Sequence, residues 1–159
     1  MRRFWSRLAH YHANIFNAAE IGNFLGVSHS AIRNYLDILC GTFMVRQLIP
    51  WFANIKKRQV KSPKIYFRDA GILNSLISID TQAQLFAHPK LDGIWELIKF
   101  HNSTAAECYY WRTHTGAELD LLIVTPQRKL GFEIKYTNSP KNIPSMRIAM
   151  QDLWLAEMW

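Results

Sequence analysis

The stretch that decides the fold reads AELDLLIVTPQRKLGFEIKY and covers residues 117–136. Its two ends, residues 117–124 and 130–136, are rich in the branched and apolar side chains that favour β-strands. Between them, Thr125-Pro126-Gln127-Arg128 contains the proline that is typical of a turn. The stretch is therefore predicted to form two antiparallel strands joined by a short loop.

The register of this hairpin follows from the position of its turn. If the chain turns at the centre of the four-residue loop, Asp120 lies opposite Glu133. In the same register, Glu118 lies opposite Lys135. All four side chains are expected on one face, because side chains alternate along a strand. Opposed Cβ atoms are about 4.5–5.5 Å apart, so the two carboxylates repel each other unless a positive charge lies between them.

A hard divalent cation would remove this repulsion. Mg²⁺ is usually held by one or two carboxylates, with water and substrate phosphate completing its coordination. Asp120 and Glu133 are therefore the predicted Mg²⁺ ligands and candidate catalytic residues. Lys135, on the same predicted face, is expected to orient or deprotonate an attacking water and to stabilise charge on a phosphate. The reaction predicted from this set is hydrolysis of a phosphodiester.

The same four residues also admit a purely structural interpretation. Glu118 and Lys135 can form an ordinary cross-strand ion pair. Asp120 and Glu133 can be solvated carboxylates at the edge of a sheet. A strand with the pattern Glu-x-Lys is common, and only the opposed aspartate makes the pattern more specific.

The rest of the second half supplies further elements around the hairpin. A short helix at residues 93–100 carries Glu96, a fourth candidate catalytic residue, which can also simply favour the dipole of its helix. Residues 70–80 are expected to form a connecting helix. The remaining predicted elements are a strand at 108–112, a helix at 145–153 and a last strand at 154–159. Residues 70–159 are thus predicted to be an α/β (α+β) domain, a small mixed sheet flanked by helices.

The first half of the chain contains a helix-turn-helix pattern. After a short amphipathic helix at residues 4–11, a second helix is predicted at 18–25, with Asn17 as its N-cap. Gly26-Val27-Ser28 forms the turn, and a third helix runs over residues 29–39. The polar side chains that point outward from this third helix are His29, Ser30, Arg33 and Asn34.

Two β-rich runs, residues 42–49 and 64–67, follow and enclose a segment rich in lysine and arginine. A β-hairpin with a basic tip after a helix-turn-helix is typical of a winged-helix domain, predicted here over residues 1–69. Groove contacts to DNA are expected from the four outward side chains of the third helix. Phosphate contacts are expected from Lys56, Lys57, Arg58 and Lys61. The alternative is a protein-interaction module with a solvated basic loop.

The distribution of charge agrees with two different roles in one chain of 159 residues with a formal net charge of +7. Residues 1–68 hold 11 Lys and Arg against 2 Asp and Glu, whereas residues 69–159 hold 8 against 10. A positively charged half favours a polyanionic partner, DNA above all. The length suits two small domains.

The remaining features predict a cytoplasmic protein without a membrane segment. No apolar run approaches the roughly 20 residues that span a bilayer, and no apolar segment of a secretory signal follows the basic start. Cys40 and Cys108 are isolated, as in a reducing compartment, and no Cys and His cluster suggests zinc. The sequence leaves open whether the chain forms a homo-oligomer.

Glu96, Asp120 and Glu133-Ile134-Lys135 resemble the PD-(D/E)XK motif set of restriction-endonuclease-like domains. The whole chain resembles the C-terminal region of bacterial and archaeal ATPases in which an AAA-type domain precedes a domain of unknown function. Among the stretches that carry this likeness are Phe4-Trp5-Ser6-Arg7-Leu8-Ala9-His10-Tyr11-His12, Lys61-Ser62-Pro63-Lys64-Ile65-Tyr66-Phe67-Arg68-Asp69 and Gly116-Ala117-Glu118-Leu119-Asp120. The resemblance implies a winged helix followed by a nuclease-like domain.

The sequence departs from this family pattern in two respects. No Gly-x-x-x-x-Gly-Lys-Ser/Thr motif occurs, so no ATP site is expected here and the ATPase domain would be a partner missing from this chain. The short spacing between residues 94 and 108 leaves Glu96 on about two helical turns. Two functions therefore stay open: a Mg²⁺-dependent DNA endonuclease, or a non-catalytic DNA- or protein-binding module of an AAA-type ATPase.

Overall fold

A computed structural model describes residues 2–88, 107–135 and 144–159, and within them the chain forms two compact units. The first unit contains residues 2–47 and 62–88. The second unit contains residues 48–61, 107–135 and 144–159. This division differs from the predicted boundary between residues 69 and 70, because residues 48–61 pack with the later strands and residues 70–88 belong to the first unit.

The first unit combines five helices with a small sheet among its described residues. Its elements are α1 (Arg2–Ala9), β1 (Asn14–Ile15), α2 (Ala18–Leu25), α3 (His29–Gly41), β2 (Val45–Leu48), β3 (Lys64–Phe67), α4 (Ala70–Leu76) and α5 (Gln82–Ala87). The strand order is β1-β3-β2, and β1 pairs with β3 in antiparallel fashion. The last residue of β2 already belongs to the second unit.

The signals that predicted the helix-turn-helix segment are the ones that end and begin its helices. The Asn17 side chain accepts a hydrogen bond from the backbone N–H of Glu20 at 3.2 Å, so Asn17 caps α2. Gly26 ends α2 with a φ of 70°, a left-handed conformation that costs glycine little. Ser28 then accepts from the N–H of Ala31 at 3.2 Å and caps α3. The predicted helix at 18–25 is confirmed, and α3 is two residues longer than predicted.

One apolar core holds the first unit together. It joins the inner faces of α1, α2 and α3 to the two longer strands and α4, through side chains that include Phe4, Leu8, Ile21, Ile32, Leu36, Val45, Ile65, Phe67 and Leu73. His12 is fully buried within this unit, and its Nδ1 accepts a hydrogen bond from the backbone N–H of Phe67 at 3.2 Å. A histidine held in this way is a structural group.

Several element boundaries in the first unit differ from the predictions, and α1 covers Arg2–Ala9 where residues 4–11 were expected. The strand expected from residue 42 begins at Val45, since Phe43 adopts a positive φ of 61° that is incompatible with extended backbone. The helix expected over 70–80 ends at Leu76. A further helix, α5, follows and begins with a capping box between Thr81 and Gln84 that the sequence analysis did not identify.

The second unit is a four-stranded mixed sheet covered by one helix among its described residues. Its elements are β4 (Glu107–Arg112), β5 (Glu118–Val124), β6 (Lys129–Phe132), α6 (Pro144–Leu153) and β7 (Glu157–Met158). The strand order is β4-β5-β6-β7, with antiparallel pairs except for the parallel pair of β6 and β7. Helix α6 packs on β5 and β6. The predicted α/β class is therefore confirmed.

The core of the second unit lies between the sheet and α6. It contains Trp111, Leu119, Leu122, Ala149, Leu153 and Leu155. Gly131 in β6 allows Leu155 to approach the sheet, because a Cβ at this position would lie 2.6 Å from Leu155 Cδ1. The predicted last strand at 154–159 is shortened to β7.

Residues 48–61, hereafter the anchored segment, do not project as the basic tip of a hairpin. The backbone N–H of Trp51 donates to the carbonyl of Tyr110 at 2.7 Å, and that of Val60 donates to the carbonyl of Arg112 at 2.9 Å. Trp51, Ala53 and Ile55 pack against the core of the second unit. The predicted wing is corrected in this respect, because burial of these apolar side chains outweighs solvation of the loop.

Among the described residues, no helix combines the length and the apolar character that crossing a bilayer requires. The predicted helix at 93–100, which carries Glu96, lies outside the described residues.

Candidate functional site

The β5–β6 hairpin has the register that its turn predicts. Leu121 pairs with Phe132, Leu122 with Gly131 and Val124 with Lys129. When this register is extended by one residue beyond the Leu121–Phe132 pair, Asp120 lies opposite Glu133. The hydrogen-bonded strand β6 ends at Phe132, so Glu133 and Lys135 lie just beyond it.

A β-bulge in β5 lies at Asp120 and Leu121. The β4–β5 register shifts so that Tyr109 pairs with Leu122 but Trp111 pairs with Leu119, which gives β5 one extra residue in this interval. Bulges interrupt strand alternation and redirect side chains, and they are frequent beside active sites. Asp120 and Glu118 both lie close enough to Glu133 for their charges to raise its pKa, so the bulge leaves the predicted grouping of these carboxyl groups intact.

The Asp120 carboxylate reaches the backbone beyond β6. Its Oδ2 accepts a hydrogen bond from the N–H of Ile134 at 3.1 Å. Asp120 is only partly buried, so one side of the carboxylate is held by protein while solvent still reaches the residue. This contact fixes the aspartate beside Glu133.

Glu133 is the most perturbed carboxyl group among the described residues. Its side chain is 10% exposed, and its Oε1 accepts a hydrogen bond from Lys135 Nζ at 2.5 Å. Its Oε2 is buried and has no hydrogen-bond partner within the described residues. Burial raises the pKa of Glu133, the negative charge of Asp120 raises it further, Lys135 lowers it, and the charge of Glu118 adds a smaller increase.

Glu118 has a second role that the sequence analysis missed. Its carboxylate forms an ion pair with Arg112 at 3.2 Å across the β4–β5 pair. The signal was present in the sequence as a basic residue at the end of the preceding strand, but only the bulged register brings Arg112 opposite Glu118.

The donor set suits a small hard cation. Asp120 and Glu133 are close enough for the charge of one to raise the pKa of the other, and one buried oxygen of Glu133 lacks a partner. An unpaired buried oxygen of a carboxyl group is costly, and a cation would relieve that cost. No cluster of three or more His, Cys, Asp or Glu suited to a metal occurs in residues 2–88, 107–135 and 144–159. Two carboxylates with water are the coordination that Mg²⁺ accepts.

The predicted DNA contacts fall into the two different units. His29, Ser30, Arg33 and Asn34 are all exposed on α3 of the first unit, as the helical pattern predicts. The other four belong to the anchored segment of the second unit and are exposed there: Lys56, Lys57, Arg58 and Lys61. Lys57 forms an ion pair with Asp152 at 2.7 Å, so part of its charge is already neutralised.

Comparisons with known proteins give families without an assigned activity. The curated relatives include uncharacterized proteins of Mycobacterium tuberculosis and Mycobacterium bovis, each 48% identical over 162 residues. Each match covers 99% of this chain and 37% of the relative, so the chain spans well under half the length of these proteins. No solved structure matches the chain significantly.

Two family models match successive parts of the chain. Residues 94–154 match the model described as Domain of unknown function (DUF4143). Residues 1–83 match the model described as Domain of unknown function (DUF8612). The DUF8612 model covers more than half of the 159 residues, so the chain belongs to the DUF8612 family of domains of unknown function.

Proposed function

We propose that this chain binds DNA and hydrolyses phosphodiester bonds with Mg²⁺ held by Asp120 and Glu133. The observation that carries the proposal is the buried, unpartnered Oε2 of Glu133 beside a second carboxylate. Proteins seldom leave such an atom unpaired without a functional reason. In this proposal the second unit is a nuclease-like domain of the PD-(D/E)XK type.

Each residue of the site has a definite task in this reaction. Bound Mg²⁺ would polarise a phosphate oxygen and lower the pKa of water. Asp120, steadied by the N–H of Ile134, and Glu133, through Oε2, would hold the ion. Lys135 contacts Glu133 Oε1, and its exposed ammonium group would orient water and stabilise charge on a phosphate.

The first unit is proposed to be a winged-helix DNA-binding domain. The order of helix, short strand, two helices and two strands supports this proposal, and α3 presents polar side chains to solvent. The anchored segment between the two strands belongs to the second unit and forms no projecting wing. Helix α3 would enter a groove of DNA, with Arg33 as its one basic contact. A cytoplasmic location belongs to the same proposal and is supported by Cys40 and Cys108, neither of which forms a disulfide.

A second candidate function is a non-catalytic binding module of a larger AAA-type ATPase. The contact between Lys135 and Glu133 favours it, because an internal ion pair can neutralise the carboxylate without any metal. The chain covers 37% of its curated relatives, and DUF4143 is commonly found with AAA ATPases. In this alternative the nuclease-like domain is a scaffold only.

Plasmid cleavage separates the two candidates. We expect the wild-type chain to nick plasmid DNA with Mg²⁺ or Mn²⁺ and to be inactive with a chelator. Asp120→Ala and Lys135→Ala are each expected to lower the cleavage rate by about 100-fold or more, because each removes a group that acts on the reacting phosphate.

The matched control is Glu157→Gln, which changes an exposed carboxylate of the same sheet that pairs with Arg128. This variant should cleave at the wild-type rate. Cleavage that survives both Asp120→Ala and Lys135→Ala, or no cleavage by the wild type, would leave the non-catalytic module as the function.

A further inference from the structure

A second candidate site in the second unit is a cavity of about 480 Å³, within the size range of small-ligand pockets. Aromatic, basic, acidic and amide side chains line it. Three separate parts of the chain build it: the anchored segment, the start of β6 and the end of α6. The lining includes Trp51, Phe52, Asn54, Lys129, Asp152 and Trp154. None of these residues belongs to the Asp120–Glu133 site.

The aromatic rings of this cavity face solvent to an unusual degree. Trp154 is 84% exposed and Phe52 is 54% exposed. Trp51 is partly buried and packs edge-on against Tyr109, with ring centroids 4.9 Å apart. One ring is thus held rigidly while two flat apolar surfaces remain open beside it.

Trp154 also has a strained backbone conformation, which the exposure of its side chain does not explain. Its φ is 55°, in the left-handed region that a bulky residue rarely adopts. The N–H of Leu155 donates to the carbonyl of Met150 at 3.3 Å, the bond that closes a helix when the intervening position is left-handed. Glycine normally occupies that position, so a tryptophan there indicates a use for its ring.

Positive charge lies directly against these rings. Lys129 Nζ is 5.3 Å from the centre of the Trp51 ring, and Lys57 reaches Asp152 at the rim. Lys56 and Arg58 are exposed on the same anchored segment. An aromatic platform beside lysines matches the two parts of a nucleotide, its flat base and its phosphate.

We propose that this cavity binds the unpaired bases of single-stranded DNA. Two exposed rings would stack on successive bases, and Lys129 with its basic neighbours would contact the backbone. The inference deepens the proposed function and rests on it for the choice of DNA, because it names single-stranded or locally opened DNA as the substrate class. The charged rim favours this ligand over an apolar protein segment.

Fluorescence anisotropy with a labelled oligo(dT) and a duplex of the same length tests the proposal. Phe52→Ala and Trp154→Gly are each expected to weaken single-strand binding by about 5- to 150-fold, the range for loss of one stacked base. Trp154→Tyr should retain most of the affinity. Duplex binding should stay within about twofold of the wild type, since paired bases cannot stack on these rings.

Trp159→Ala is the matched control, because this exposed tryptophan of the same unit does not line the cavity. It should bind oligo(dT) as the wild type does. Trp154→Gly relieves the left-handed strain, so its thermal midpoint should not fall, and its loss of affinity cannot then be attributed to unfolding.

Wild-type affinity in both Phe52→Ala and Trp154→Gly overturns the proposal, as does an equal loss for duplex and single strand. Absence of oligo(dT) binding by the wild type overturns it too. Plasmid cleavage is scored separately. Single-strand binding without cleavage would overturn only the nuclease, and cleavage without ring-dependent binding would overturn only this inference.

Discussion

Glu133 shows how burial and a neighbouring charge act together on one carboxyl group. Burial is the larger cause of its raised pKa, and Asp120 is the next. A carboxyl group with a raised pKa holds its proton more tightly in the folded chain than in the unfolded chain. The stability that this group contributes is therefore present below the ordinary pKa of glutamate and is lost as pH rises through the raised pKa.

Replacement of Glu133 by glutamine should remove this pH dependence. In the absence of divalent cations, we expect the stability of Glu133→Gln relative to the wild type to increase as pH rises from about 4 to 7, because only the wild type loses stability over this range. Urea unfolding at several pH values measures the difference. Glu157→Gln, which alters an exposed carboxylate, should follow the wild-type curve.

Mg²⁺ adds a second expectation for the same pair of proteins. At neutral pH a concentration of ten times the dissociation constant should stabilise the wild type by about 1.4 kcal/mol and leave Glu133→Gln much less affected. Parallel pH curves for the two proteins, together with equal responses to Mg²⁺, would contradict the proposed metal site.

At the scale of single elements, the anchored segment depends on one glutamine. The Gln59 side chain accepts from the N–H of Ala53 at 3.0 Å and from Trp111 Nε1 at 2.9 Å. It also donates to the carbonyl of Ala53 at 2.8 Å. These bonds tie a segment without regular strands to the buried indole of β4.

Gln59→Ala is expected to loosen this element. The substitution leaves the indole N–H of the fully buried Trp111 without its partner, which costs about 1–3 kcal/mol of the free energy of unfolding. Urea unfolding measures this loss, and hydrogen exchange should accelerate across residues 50–60. Gln151→Ala, at an exposed position of α6, is the control. An unchanged exchange rate would mean that apolar packing alone holds the segment.

At the scale of the whole molecule, the basic residues of the first 68 positions are divided between the two units. The first 68 residues hold most of the excess positive charge, but the structure assigns Lys56, Lys57, Arg58 and Lys61 to the second unit. Basic groups on the anchored segment therefore belong to the same unit as the proposed cleavage site and the aromatic cavity. Arg33 remains with α3 in the first unit.

Charge reversal on the anchored segment should change the salt dependence of DNA binding. In a variant with Lys56, Lys57 and Arg58 all replaced by glutamate, the slope of log affinity against log salt should flatten by about 2 to 3 for duplex DNA, if each contacts one phosphate. Arg147→Glu, an exposed change on α6, should leave the slope unchanged. An unchanged slope in the triple variant would show that this segment does not contact DNA.

Much of the fold was predictable because its signals are local. The caps at Asn17 and Ser28 act over three residues, and the register of the β5–β6 hairpin follows from its short turn. The packing of the anchored segment was not predictable in this way. Its mostly apolar residues at 48–55 and its mostly basic residues at 56–61 fit a solvated hairpin as well as a segment packed against another sheet. Only the available core decides between these two arrangements.

The sequence by itself determined the α/β class, the helix-turn-helix segment and the opposition of Asp120 to Glu133, since these depend on neighbours a few residues apart. Tertiary structure alone decided the bulge at Asp120, the burial that raises the pKa of Glu133 and leaves its Oε2 unpaired, and the meeting of Trp51, Lys129 and Trp154. The physical reason is that the burial of a side chain and the electrostatic field acting on it depend on residues that are distant in the chain. Such groups acquire a common environment only when the sheet and α6 pack together.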